Sequence, residues 1–582
     1  MSGIAGWLEP GGVDATALNS AMHAASYRGT PKVLSAHPTI ALGTYAREGE
    51  PRHTSRRGGS ILIMHGRVDA VVRGRHLGWQ PPEAPGDNEA PEAIIHRAVE
   101  QGGPDALNDF AAEAAIALMP DSGDELLLAR DVFGLRPLYV ARRGRRFAFA
   151  SDPGVLMALG LATDQLDPEV IAASLARNEP LDGRTAFRSV RALQPGSWLR
   201  VDGDGRYREG RWFDPDRLRG ARLDDADAVE TVRETITAAV VARSKGRRVA
   251  ISLSGGRDSA AVAIAASRAG LEATGITHTF DADLPVHEAR LAREVCQRFG
   301  LAWLPAPVTS SPTRDALEDV PRWSGTPLAY GAFPEGTAMP DSAAEAGMDV
   351  VLTGEGGEPF FGSAEVAVLD LARTGHLVSA ARAARRFNDE WERSYLRLAK
   401  VAGRAIAPRS LLRMREQFRD VPPWVKGKVP RTLIGGPAPR SDQQVLDLAL
   451  RSPHPAGYDL EERLYQHRGV EPAHPLLDLR VVSVALRLGL RHRAPITGFK
   501  PILASAFLGD LDESRVKMSF LPYYDRLASS VQESFPELFA PDSVACRTGL
   551  LEPAGLDSIG DDRWRIDSLG VAVLETWLRS SL

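Results

Sequence analysis

The stretch Val249-Ala250-Ile251-Ser252-Leu253-Ser254-Gly255-Gly256-Arg257-Asp258-Ser259 decides how the rest of the chain is read. Its first five residues predict a buried strand, the two glycines a loop, and residues 258–269 a helix. A loop joining a strand's carboxyl end to a helix's amino end gathers backbone N–H groups and the helix dipole around an anion. Gly255 and Gly256 let the main chain approach such a ligand, and Arg257 lies in the same loop. Ser254 and Ser259 add hydroxyls, while Asp258 can hold Mg2+ against a polyphosphate. No Lys-Ser or Lys-Thr pair follows, so this is not the Walker-type loop. The bland alternative is a tight turn without a ligand.

Working outward, a second glycine cluster, Leu352-Thr353-Gly354-Glu355-Gly356-Gly357-Glu358-Pro359-Phe360-Phe361-Gly362, follows a predicted strand at 348–352. Two such loops at strand ends of one sheet are what a nucleotide crevice needs. Upstream, residues 1–215 alternate short apolar runs with Gly and Pro turns, with helices expected at 14–25, 89–101 and 168–177. Trp212-Phe213-Asp214-Pro215-Asp216 reads as a boundary before a long helix at 225–245. Downstream of about Leu371, arginine-rich stretches such as 380–395 predict a helical extension, and Asp420-Val421-Pro422-Pro423-Trp424 predicts a turn. The expectation is two domains, 1–215 and 216–582, the second with an α/β parallel sheet.

A chain of 582 residues is longer than a single core usually supports. With 70 basic against 75 acidic residues, nothing global suggests a nucleic-acid partner or a membrane surface. Cys296 and Cys546 read as isolated core thiols in a reducing compartment. The opening Met1-Ser2-Gly3-Ile4-Ala5-Gly6-Trp7 lacks a basic and apolar leader, and no later run has the length of a membrane span, so the expected location is cytoplasmic.

The first loop resembles the pyrophosphate loop of enzymes that cleave ATP between the α and β phosphates. Together with the second loop it resembles the asparagine synthetase superfamily, which carries Gly-x-Gly-[Gly/Ser]-Asp-Glu at this place. The resemblance implies ATP and Mg2+, phosphate contacts from Ser254 to Ser259 and from Gly354, Gly356 and Gly357, and metal contacts from Asp258 and Glu358. Glu358 stands where the family has aspartate and Pro359 where it has glutamate. Glu355 matches a catalytic glutamate, a general base toward the attacking amine. Gly498-Phe499-Lys500-Pro501-Ile502-Leu503 resembles the family's Gly-x-x-Lys-x-x-Leu, offset by one, which implies that Lys500 steadies the acyl-adenylate rather than standing on the surface. Gly469-Val470-Glu471-Pro472-Ala473-His474-Pro475-Leu476-Leu477-Asp478 resembles the lead into a family helix. Arg515-Val516-Lys517 resembles Arg-Pro-Lys, with Lys517 either a pyrophosphate ligand or part of a solvated basic turn.

The first domain resembles class II glutamine amidotransferases through Gly3-Ile4-Ala5-Gly6, Arg28-Gly29, Gly66-Arg67-Val68-Asp69 and Leu128-Ala129-Arg130-Asp131-Val132-Phe133-Gly134-Leu135-Arg136. This implies an αββα glutaminase-like (Ntn) fold ahead of the α/β ATP-pyrophosphatase domain. Working members carry a cysteine where this chain has Ser2 and an oxyanion-donating asparagine where it has His65; Thr30 replaces a proline. Two parts of the hydrolytic machine have changed, which implies a remnant without glutaminase activity. The amine must then come from elsewhere.

Three further resemblances, at Gly356-Gly357, at Asp370-Leu371-Ala372-Arg373-Thr374-Gly375-His376-Leu377 and at Leu574-Glu575-Thr576-Trp577-Leu578-Arg579, are to lasso peptide macrolactam synthetases. They imply a precursor peptide as substrate, with a leader-peptide-binding protein and a leader protease as partners. Arg382, Arg385 and Arg386 would line a peptide groove or form a solvated helix face. The competing expectations are a small-molecule or β-lactam-type synthetase, an asparagine synthetase paralogue fed ammonia, and a silent scaffold.

Overall fold

The computed structural model describes residues 2–34, 37–71, 90–176, 182–281, 284, 288–327, 334–362, 364–391, 399, 402, 421–427, 441–451, 455–494, 496, 499–509 and 520–581. The first part folds into two six-stranded antiparallel sheets. One runs Arg191–Ala192, Tyr139–Arg143, Arg146–Ala150, Ser2–Leu8, Ile40–Ala46, Thr30–Val33. The other runs Tyr207–Arg211, Ser197–Asp202, Glu125–Arg130, Phe110–Met119, Ser60–Val71, Thr54–Arg57. Period-two alternation explains the layering. Ile4 and Leu8 face the inter-sheet core with Ile61, Ile63, Leu126 and Leu128, while Ala5 and Trp7 face the other way under helices.

On that outer face lie the helices Ala15–Met22, Pro153–Ala158 and Pro168–Leu175, each capped by an aspartate (Asp14, Asp152, Asp167) that accepts from a first-turn N–H. The helix expected at 14–25 ends at Met22 and tightens into the turn His23–Arg28. The helix Ser568–Ser581 joins the same core through Leu574 and Trp577. Beyond the second sheet, Leu62, Met64 and Ile116 share one buried cluster with Ile95 and Val99 of Pro91–Gly102, and with Val232, Ile236 and Val240 of Asp225–Ser244. The αββα stack and the second half are thus joined by a common core.

The second half is built on a parallel sheet ordered Ala302–Pro307, Ala273–Thr279, Val249–Ser252, Val350–Leu352, Glu471–Ala473. Val249–Ser252 pairs on both sides, so strand order reverses there, and both glycine loops leave the sheet at this reversal. Glu471–Ala473 is an addition to the sequence reading. Three residues centred on Pro472 carry no alternation, and an edge position tolerates the missing N–H. The strand expected at 348–352 is shortened to Val350–Leu352. Pro422 to Val425 form the expected turn, which buries Trp424 completely; Asp420 lies outside the described residues. Among the described residues no helix is long and apolar enough to cross a membrane.

Candidate active site

The helix Arg257–Arg268 starts where the first loop ends, with Gly256 as its N-cap. Inside the loop, Gly256 N–H donates to Ser254 Oγ at 3.3 Å, Ser259 Oγ donates to the Gly256 carbonyl at 3.3 Å, and the two hydroxyls lie 3.2 Å apart. The turn is therefore held by its own serines. Gly255 has a φ of +72, and a Cβ there would strike the Leu291 side chain. The second loop packs directly on the first: a Cβ at Gly357 would collide with the Asp258 carboxyl, and one at Gly354 would meet Ser259 N at 2.7 Å. Gly354 and Gly357 therefore serve close packing of loop on loop as well as any phosphate approach, while Gly356, with a φ of +91, packs against Leu477.

Lys500 reaches this junction from a different part of the chain. Its ammonium is hydrogen-bonded to Asp258 Oδ2, its side chain is 4% exposed, and its Nζ lies 5.4 Å from the Phe499 ring centroid. Its φ of 51 makes it the one non-glycine residue with positive φ among the described residues. Such a conformation costs about 1 kcal/mol or more and persists where surroundings enforce it. The other Asp258 oxygen, Oδ1, is buried and has no hydrogen-bond partner among the described residues. Glu358 is exposed in the first turn of Gly357–Phe361, on the loop beside it. An orphaned carboxylate oxygen, with a second carboxylate on the adjacent loop, fits a hard cation that takes its remaining ligands from phosphates and water. No cluster of three or more metal-ligating side chains occurs among the described residues. Gly498, Arg515, Val516 and Lys517 lie outside the described residues.

Glu355 is exposed to the crevice, with its N–H on Thr353 Oγ1 at 3.2 Å and its carboxylate accepting from the Tyr458 hydroxyl. Thr353 Oγ1 lies 2.8 Å from His474 Nδ1, and His474 Nε2 is 3.5 Å from Glu461. Glu461 keeps 29% of its side chain in contact with solvent, yet burial of its surroundings and the Glu355 charge push its carboxyl up to about 8. Burial, then the charges of Arg136 and Arg243, lower His474 to about 3, so it is neutral. Burial and Glu355 raise Tyr458 well above the usual phenol value, which keeps it a proton donor. Tyr458, Glu461 and the contacts of His474 with Thr353 and Glu461 were missed in the sequence, where a paired Glu461-Glu462 on a polar helix has the look of a solvated face.

The region around Ser2 and His65, expected from the sequence to be a degenerate glutaminase site, is differently built. Ser2 opens the first strand. His65 is 1% exposed, with Nδ1 3.2 Å from Ser151 Oγ and Nε2 3.2 Å from Glu462. Glu462 belongs to the helix Pro455–Arg468 of the other half, and Arg28 grips it with two bonds of 2.9 and 2.8 Å. Burial lowers His65 to about 4, so it is neutral. Burial alone would raise Glu462, but Arg28 and His65 hold it well below the usual carboxylate range. Other amidotransferase-like residues are likewise turned to the domain junction. Arg130 pairs with Asp459 and Arg136 with Glu471 at 2.5 Å, and Asp69 joins Glu113 and Asp478 around the buried Arg243.

Comparison with known proteins agrees with this geometry. The asparagine synthase profile matches residues 231–579, and a glutamine amidotransferase domain profile matches residues 85–213. Over 275 residues the chain is 26% identical to Amidase chry2 of Gibberella zeae, covering 44% of this chain and 40% of that protein. Over 337 residues it is 26% identical to a putative glutamine-hydrolysing asparagine synthetase of Mycobacterium bovis, covering 51% and 50%. These matches span half or less of each relative's length. A solved structure of glutamine phosphoribosylpyrophosphate amidotransferase from B. subtilis overlaps with a TM-score of 0.25 at 12% identity, over 52% of this chain and 65% of that one, too little to bear on the fold. With a profile covering more than half its length and both glycine loops at the reversal of its parallel sheet, the chain belongs to the asparagine synthase family.

Proposed function

We propose that this chain joins a carboxylate to an amine as an amide through an acyl-adenylate, without glutamine-derived ammonia, and that its substrate is a lasso-type precursor peptide closed to a macrolactam. The observation that carries the first part is the pairing of exposed carboxylates, Glu355 and Glu358, on the second glycine loop with an Arg28–Glu462 ion pair set beside His65. The peptide assignment rests on the sequence resemblances around Gly356-Gly357, 370–377 and 574–579. It implies a leader-peptide-binding protein and a leader protease as partners, and a cytoplasmic setting.

The backbone and hydroxyls of Ser254 to Ser259 bind the phosphates, with Asp258 and Glu358 the residues that would hold Mg2+. When bound, Mg2+ offsets phosphate charge. A substrate carboxylate oxygen bonds to the α phosphorus, and the bond from that phosphorus to the β-bridging oxygen breaks, releasing pyrophosphate. Lys500 steadies the acyl-adenylate. The amine nitrogen then bonds to the acyl carbon, the carbon–oxygen bond to AMP breaks, and Glu355 takes the amine proton with Tyr458 hydrogen-bonded beside it. Pro359 does not weigh against turnover, because it stands in the first turn of its helix, where a backbone N–H would have no intrahelical partner and its absence costs nothing.

The test is AMP and pyrophosphate release with and without precursor peptide and protease, with peptide mass measured. Loss of one water, coupled to AMP, is expected. AMP without a mass change moves the assignment to a second reading, a small-molecule or β-lactam-type amide synthetase. One observation favours that reading: Arg382 and Arg385 are exposed on their helix, where a solvated face also puts arginines. No AMP and no pyrophosphate exchange with any acid would leave only a scaffold.

A further inference from the structure

The helix Pro455–Arg468 presents two faces with two different jobs. At about 100° per residue, Tyr458, Glu461 and Tyr465 form one stripe, and Asp459, Glu462, Arg463 and Gln466 form another about 120° around the axis. The first stripe meets the synthetase half. Tyr458 hydrogen-bonds Glu355, Glu461 faces His474, and Tyr465 is buried among Val470 and Ala343. The second stripe is held by the amidotransferase-like half at every turn. Asp459 binds Arg130 and, at 3.0 Å, the Tyr139 hydroxyl; Glu462 binds Arg28 twice and approaches His65; Arg463 pairs with Asp152; and the Gln466 carbonyl accepts from Arg47 at 2.5 Å. His467 stacks on Tyr27 with ring centroids 3.8 Å apart.

We propose that Arg28 and His65, residues that carry the resemblance to class II amidotransferases, are positioning residues for amide formation: through Glu462 they fix the rotation and depth of the helix that carries Tyr458 and Glu461 to Glu355. The proposal rests on the function given above. The physics favours it because Glu462 is 1% exposed and is gripped bidentately, so the carboxylate has one geometry rather than many. A rigid helix passes that geometry to side chains three and four residues away. Tyr458 precedes Glu462 by four residues and Glu461 precedes it by one, so a roll of this helix moves both away from Glu355. The exchange of an oxyanion donor for His65 acquires a positive meaning. A neutral imidazole accepting from Ser151 at Nδ1 sets Nε2 3.2 Å from the same carboxylate, close packing short of an aligned hydrogen bond. The amidotransferase-like half then bears chiefly on the second chemical step, because this helix meets Glu355 directly and reaches Asp258 and Ser259 only through the packing of the second loop on the first.

The experiment separates the two steps in the full-length protein. Arg28→Lys keeps the charge and loses the fork. Arg28→Met with Glu462→Leu removes both partners, so that no buried charge is orphaned and the protein still folds. ATP–pyrophosphate exchange is expected to stay within about twofold of the parent in both. Single-turnover amide formation should fall about 10²-fold in the double variant and less in Arg28→Lys, the scale that a misplacement of about 1 Å carries. Hydrogen exchange across residues 455–468 should quicken in the same order. An equal fall in exchange and amide formation, or unchanged amide formation, overturns the proposal. If the parent exchanges pyrophosphate with no acid, the functional reading has failed, and hydrogen exchange in nucleotide-free protein still decides the clamp: unchanged protection of 455–468 in the double variant overturns it.

Discussion

The chain holds two pockets built around buried or half-buried charge, and they differ in what their charges do. Around His65 the charges are largely met: Arg28 pairs with Glu462 and Arg463 with Asp152, and His65 lies beside Glu462, with only Arg28 Nε and His65 Nε2 short of an aligned hydrogen bond among the described residues. In the loop crevice the charges are left partly unmet. Asp258 Oδ1 is buried without a partner, Lys500 sits in a strained backbone conformation, and Glu355 and Glu461 share a space that disfavours two negative charges. Closed ion clusters buy rigidity, whereas unmet polar atoms and perturbed acids mark a place where chemistry is done.

The sharpest way to break this contrast is at its strained end. Lys500→Ala or Asp258→Ala should lower AMP formation by about 10³-fold while leaving the thermal melt within a few degrees. Normal turnover by either variant would remove the crevice from the mechanism. Next in size, Tyr458→Phe and Glu355→Gln should cost about 10²–10³-fold in amide formation with pyrophosphate exchange retained, a split read by comparing the two assays.

The shared acid pair yields a pH prediction of moderate size. Glu461 is raised to about 8 by burial and by Glu355, so the pair gives up its proton near that pH, and amide formation should climb through an apparent pKa near 8. Glu461→Gln should abolish that limb. The linkage has a definite sign. Between the ordinary carboxyl value of 4.5 and about 8 the folded chain holds a proton that the unfolded chain has released, so stability falls as pH rises through that window. Melts of Glu461→Gln should show a flatter decline over the same range. The smallest effect belongs to the region around His65. Ser2→Cys with His65→Asn should give no ammonia release from glutamine, because Arg28 stays committed to both oxygens of Glu462. Measurable glutaminase activity would show that the ion pair leaves Arg28 free to serve glutamine.

Much of the fold and the crevice was legible. A layered first half and a parallel-sheet second half follow from short alternating strands, Gly-Pro turns and the strand–glycine–helix run at 249–269, because these signals are local, while the αββα stacking followed from the resemblance to class II amidotransferases. The fifth strand, Glu471–Ala473, was not legible: its pairing depends on a neighbour more than a hundred residues away, and Pro472 hides it. Ser254, Asp258, Glu355 and Lys500 were picked out singly, and the structure brings Asp258 and Lys500 into contact across 242 positions. Tyr458, Glu461 and Glu462 carried no such signal, because a polar helix of mixed charge has the same spacing whether it is solvated or wedged between two domains.

What the sequence by itself determined is the inventory: a glycine loop that can approach a phosphate, a strand pattern that makes a layered domain, and a histidine at position 65. What only the tertiary structure decided is the assignment of partners. Local periodicity sets which way a side chain points along its own element, but the group it meets is set by how elements pack. The same helix therefore reads as solvent-facing in one dimension, and in three dimensions carries an acid–base face toward one domain and a clamp face toward the other.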